Sequence, residues 1–200
     1  MRWPGWIVNS TLFSSVLLPR LKLILRNIIM DANLTHMQET NPFWRFSQLA
    51  WTVADVASFC LQLQEQHDCD VNMVLWVGWR SAQGVPIDLA DLEQLQTLVE
   101  PWRQQVILPL RMVRQGLPKE PDQAALRENL LTAELEAERF QQTLIFKASS
   151  IGEPVSSQDH SAANARAYCR YAALDSATEQ SLWKMLQVLQ ENIGASLECD

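Results

Sequence analysis

The stretch Asp70–Ala82, DVNMVLWVGWRSA, decides the fold. Val71, Met73, Val74, Leu75, Trp76, Val77 and Trp79 spread apolar side chains nearly all the way round a helix. A helix without a polar face sits in the centre of a core or spans a membrane. Thirteen residues fall short of the roughly 20 that a bilayer crossing takes. The segment is therefore predicted to be the buried central helix of one compact, all-α, multi-helix bundle. Asp70 is its expected N-cap and Gly84 its C-terminal stop.

The rest of the chain must wrap around it. Upstream, Asn41–Pro42 has the order of a helix start, and Phe43, Phe46, Leu49 and Ala50 supply a stripe. Thr52 and Asp55 predict a second start, with Val56, Phe59, Cys60 and Leu63 inward along 53–66. Downstream, Asp88 and Asp91 have capping-box spacing ahead of a spine of Leu89, Leu92, Leu95 and Leu98. Pro101 predicts a break after Glu100. A new helix over 101–115 then turns Trp102, Val106, Leu110 and Val113 inward and kinks at Pro109.

The longest helix is expected over 122–147. Leu126, Leu130, Ala133, Ala137, Phe140 and Leu144 alternate by four and three residues, the seam of an antiparallel bundle. Leu131, Leu135 and Ile145 form a second stripe that needs its own cover. Two helices follow, over 162–174 and 177–192. The second is opened by a Ser176–Glu179 box and turns Leu182, Met185, Leu186 and Leu189 inward. The expected organisation is a helical core domain over 37–148, a Gly/Pro/Ser linker over 149–161, and a helical pair over 162–194 packed on the core.

Composition agrees. Of 200 residues 48% are hydrophobic, enough for a core that needs no staple. Leu, Ala, Gln and Glu outnumber β-branched residues, which favours helix. Cys60, Cys69, Cys169 and Cys199 have no metal-ligand spacing and read as thiols of a reducing, cytoplasmic compartment. A net charge of −7 argues against a protein that tracks nucleic-acid phosphates.

Residues 1–36 differ from the body. They hold four basic residues and one acid, leaving 12 basic and 22 acidic residues from Met37 onward. One reading is a mis-assigned translation start, with Met30 and Met37 as later candidates. Another is a disordered or basic amphipathic extension, with Leu21, Ile24, Leu25 and Ile28 striping a helix over Leu17–Met30. Membrane attachment is expected only if this extension is translated. Arg20 and Lys22 without a cleavage box argue against a signal peptide, and Pro19 with those cations argues against a span.

Four words stand in order along the body: NPFWRF at Asn41–Phe46, DVNMVLW at Asp70–Trp76, EPWRQQVILPLR at Glu100–Arg111 and AELEAER at Ala133–Arg139. In them the chain resembles a family of small proteobacterial proteins, domain of unknown function 2390, over roughly Asn41–Phe146. The resemblance implies a helical cytoplasmic protein and carries no activity, substrate or catalytic residue. Members begin just ahead of the NPFW-type word, which favours the later start.

Few residues point to chemistry. Asn72 shares a helix face with Trp76 and Trp79, which suggests a ligand-facing amide beside an aromatic wall. The plainer reading is a structural asparagine bonding a neighbouring backbone group. Arg103, Arg111 and Arg114 fall on one helix flank, and Glu134 and Glu138 on another. They suggest an anion pocket and an acid–base pair, or more plainly inter-helix ion pairs. His36, His67 and His160 have no metal-ligand companions, and no phosphate loop, GxSxG elbow or Cys/His dyad is present. No catalytic residue, metal or cofactor is expected, and the balance leans away from an enzyme. The surplus of tryptophan (eight residues) and the uncovered second stripe favour a protein-interaction or adaptor module, with an unidentified protein or a second copy as partner. The alternative is a small-ligand-binding protein or enzyme with a pocket near Asn72, Trp76, Trp79 and Arg103.

Overall fold

The side-chain oxygen of Asn41 accepts from the Phe43 and Trp44 amides at 2.9 and 3.2 Å. This cap starts helix α1 (Pro42–Ala50), with proline at the first turn as its missing N–H permits. The computed structural model describes residues 41–149 and 158–193. The readings of residues 1–36, most of the linker and Cys199 lie outside them. Helix accounts for 82% of the described residues, and none is in a strand. After α1 come α2 (Val56–His67), α3 (Val71–Ala82) and α4 (Leu89–Trp102). A π-helical turn (Arg103–Ile107) leads into α5 (Leu108–Gly116), and a 3₁₀ turn (Pro121–Gln123) into α6 (Ala124–Ser149). Helices α7 (Ser161–Tyr171) and α8 (Ser176–Ile193) close the fold.

Helix α3 is central, as its all-round apolar pattern requires. It packs against α1, α2, α6, α7 and α8, and every residue from Asn72 to Trp79 is buried. Asp70 caps it, accepting from the Asn72 amide at 2.9 Å. At its far end Gly84, at φ 65°, lets the Val85 and Gly84 amides reach back to the Arg80 and Ser81 carbonyls. Gly78 lets neighbours approach closely: a Cβ there would lie 3.0 Å from Leu189 Cδ1 and 3.5 Å from the Phe46 ring.

Helices α7 and α8 pack on each other and on α3. Leu182, Leu186 and Leu189 are fully buried. Asn164, also fully buried, spends its whole side chain on the turn after α3. Its Oδ1 accepts from the Ile87 amide, and its Nδ2 donates to Ser81 Oγ and the Val85 carbonyl. A buried amide so completely paired costs little and fixes one docking geometry.

Several local expectations are corrected. Helix α2 begins at Val56 rather than 53, because Thr52 Oγ1 donates back to the Leu49 carbonyl instead of capping and Asp55 turns left-handed at φ 66°. In α4 the Asp88–Asp91 capping box forms, but Leu89 and Leu98 are exposed and the buried set is Leu92, Leu95 and Val99. A strict three-residue repeat walks about 60° round the helix at each step, so its ends cannot share a face. Asp175, rather than a Ser176–Glu179 box, caps α8 through the Thr178 amide.

Pro101 does not break the chain either. The helix runs through it into the π turn, where the Leu108 amide bonds the Arg103 carbonyl five residues back. Proline lacks the N–H and crowds the carbonyl four residues earlier. The wider π turn lies between Pro101 and Pro109. Beyond it α5 buries no residue, and Val113 is exposed. On α6 burial is concentrated in the second half, at Glu134, Ala137, Phe140–Thr143 and Ile145. Leu126 and Ala133 of the expected seam are exposed. Of the second stripe, Ile145 enters the core while Leu131 and Leu135 remain exposed.

Candidate functional site

A cleft of about 410 Å³ opens beside the N-terminal end of α3. Such a volume suits a small ligand. Trp44 and Ser47 of α1, with Trp51 just after it, form one wall, and Leu61 and Gln64 of α2 continue it. Arg103 and Ile107 of the π turn and Arg111 and Arg114 of α5 face them. The π turn brings these two to the cleft as its buried residues. Single-turn π bulges recur at functional sites because they re-aim side chains within a helix.

The floor is polar and buried. Asn72 and Asp70, at the start of α3, meet Gln141 and Gln142 of α6. Gln141 Nε2 donates to Asp70 Oδ2 at 2.6 Å, and Gln142 Nε2 donates to Asn72 Oδ1 at 2.7 Å. Asn72 Nδ2 donates to Gln141 Oε1, joining both pairs into one chain of amides. Asn72 is therefore held by side chains of the long helix rather than by a neighbouring backbone group. The chain has a polarity. Asp70 can only accept while ionised, and Arg103 Nε stands 4.0 Å from it. Each amide must then donate toward Asp70. The last carbonyl, Gln142 Oε1, is left buried and without a hydrogen-bond partner. Burial pushes the Asp70 carboxyl above its ordinary value, opposed by the Gln141 hydrogen bond and the Arg103 charge.

The arginines are already engaged. Arg111 donates from Nε to Glu134 at 2.7 Å, from Nη1 to Gln64 at 2.7 Å and from Nη2 to Glu138 at 2.6 Å. Arg114 Nε holds the other Glu134 oxygen at 2.6 Å. Arg103 Nη2 takes the Asp68 carbonyl and carboxylate, and its Nη1 lies 3.5 Å from Glu100. Burial raises the Glu134 carboxyl, but hydrogen bonds and charge from Arg114 and Arg111 outweigh it and hold it below the ordinary value. Burial raises the Glu138 carboxyl against the pull of Arg111. The ion-pair reading of these residues fits their geometry. An anion entering here would compete with the carboxylate that each guanidinium already holds.

The structure thus brings Asn72, Arg103, Arg111, Glu134 and Glu138 to one cleft and places both tryptophans elsewhere. Trp76, one turn further along the same face of α3, lines a separate small cavity with Arg80 and Asp91, and its Nε1 donates to Ser149 Oγ. Trp79 is buried between Phe43 and Phe146, with ring centroids 5.4 and 5.8 Å away. Among the described residues no group of three or more His, Cys, Asp or Glu could hold a metal ion, and no helix is long and apolar enough to cross a membrane.

The family described as "Protein of unknown function (DUF2390)" has a model that matches residues 42–145, more than half of the sequence. The chain belongs to this family. No curated protein and no solved structure matches it. The matched segment of the DUF2390 protein runs from α1 almost to the end of α6. It contains every residue that lines the cleft, from Trp44 to Gln142, whereas α7 and α8 fall outside it.

The sequence reading missed Gln141, Gln142, Trp44 and Trp51. Gln141–Gln142 interrupts the apolar pattern between Phe140 and Leu144, and two buried amides there mark a polar partner across the bundle. Trp44 stands two residues after a proline-capped helix start, with Arg139 over its ring at 5.6 Å. That contact spans most of the matched segment and leaves no local sign.

Proposed function

We propose that the DUF2390 protein is a small-ligand-binding protein whose site is the cleft between α1, α2, the π turn, α5 and α6. The observation that carries this reading is the unpartnered carbonyl of Gln142 in the floor of a cleft of ligand size. A buried acceptor without a partner costs about 1–3 kcal/mol, a cost a bound donor would remove. Indole walls supply apolar area, and the paired charges hold the floor rigid.

The test is native mass spectrometry of the gently purified full-length chain, with Trp44→Ala as control. A stoichiometric small-molecule adduct that the variant loses supports the reading. No adduct in the wild type, alone or incubated with a library of polar metabolites, overturns it.

A second reading is the protein-interaction module. Leu131, Leu135 and Leu126 of α6 and Met112 and Val113 of α5 are 48–69% exposed, which favours a partner on this hairpin. Leu131→Glu should release a stoichiometric protein partner while leaving small-molecule binding intact. If no partner copurifies with the wild type, this reading fails.

A further inference from the structure

Building on the ligand-binding reading, we infer that the cleft takes a small molecule bearing a protonated, hydrogen-bond-donating nitrogen, an amine or a guanidinium, and rejects anions. Three independent features converge on this chemistry.

The first is polarity. The Arg103–Asp70 pair orients the amide chain so that its one polar atom without any hydrogen bond is a carbonyl oxygen, Gln142 Oε1, which a ligand's donor would satisfy. Reversing the chain would put the Gln141 carbonyl against the Asp70 carboxylate, two acceptors facing each other. Asp70 and Arg103 are therefore positioning residues for specificity.

The second is competition from the chain's own carboxylates. Arg103, Arg111 and Arg114 already donate to Asp68, Glu134, Glu138 and Gln64, and Arg103 Nη1 lies 3.5 Å from Glu100. An incoming carboxylate or phosphate would compete with a carboxylate that each guanidinium already holds. A cation meets instead Glu138, whose Oε1 alone is held by Arg111.

The third is the wall. Trp44 already takes the Arg139 guanidinium over its ring, and Trp51 stands 41% exposed beside it. Indole faces attract cations, more strongly where water is excluded.

The experiment measures binding of n-butylamine, butylguanidine, butyramide and butyrate to the full-length chain by NMR, following the indole N–H signals of Trp44 and Trp51. The two cations should shift both signals, and butyrate should not. Gln142→Leu should weaken the cations about tenfold. Trp51→Ala, at an exposed position that does not risk the core, should also weaken them. Butyramide separates hydrogen bonding from charge: binding equal to that of butylamine overturns the requirement for a cation. Butyrate shifting the indole signals while the cations do not would overturn the inference but leave a ligand site standing. No shift with any probe would remove both. Unchanged cation affinity in folded Gln142→Leu and in Trp51→Ala would also overturn the inference.

Discussion

Glu134 holds two guanidinium groups on one carboxylate, with only 5% of its side chain exposed. Neutralising it takes the carboxylate from Arg114 and leaves Arg111 with Glu138 and Gln64, in side chains 22% and 16% exposed. Glu134→Gln should therefore cost about 3 kcal/mol at neutral pH, the low end for breaking a buried pair. The sign of the pH dependence follows from the direction of its shift. The folded-state pKa lies below the ordinary value of 4.5, so in acid the unfolded chain takes up this proton first. The contribution is complete above 4.5 and is lost as pH falls through the lowered pKa. Urea unfolding of wild type and variant across pH 7 to 3 should show a difference constant near neutrality and shrinking in acid. A difference that does not vary with pH would mean the charge contributes nothing and only shape was lost.

At the scale of elements, helix ends account for most of what sequence predicts correctly, and one of them is strained. Helix α7 ends with Ala173 at φ 54°, which lets the Leu174 amide reach the Cys169 carbonyl at 2.9 Å. An L side chain in that conformation costs about 1 kcal/mol or more, and glycine escapes the cost. Ala173→Gly should stabilise the protein by about 1 kcal/mol and raise its melting temperature by about 2–4 °C. Calorimetry checks this, and an unchanged or lower midpoint would show that the turn's strain is compensated elsewhere. Caps at Asn41, Asp70 and Asp88 and the stop at Gly84 were legible because donor, acceptor and φ requirement lie within five residues of each other. Passage of the helix through Pro101 was not, because local rules end a helix there and Arg103 and Ile107 are buried only by tertiary packing. The site divides the same way. Arg111 and Glu134 showed as flanks of their own helices. The Asn72–Gln141 and Asn164–Ser81 bonds join residues 69 and 83 positions apart and leave no local pattern. Trp76 and Trp79 were assigned to the wrong surroundings for a related reason. A helix enclosed on every side does not declare which neighbour each face meets.

Across the described residues from Asn41 to Ile193, the family match stops at residue 145, yet the packing argues for one cooperative body on both sides of that limit. Leu189 of α8 rests where Gly78 leaves room on α3, and Asn164 of α7 stitches the turn after α3. Removing α7 and α8 would uncover two faces of the most apolar helix in the chain. Their detachment should therefore cost as much as global unfolding. Two buried thiols report on this from opposite sides of the boundary. Cys60 on α2 and Cys169 on α7 are 0% and 2% exposed, and burial pushes both thiols up to about 12. Neither presents a thiolate to reagent at pH 8 until its surroundings open. Iodoacetamide labelling in a urea series, read residue by residue by mass spectrometry, should give coincident midpoints for the two cysteines. Modification of Cys169 at distinctly lower urea than Cys60 would show that α7 and α8 leave first, and α3 would then be stable with part of its surface bare.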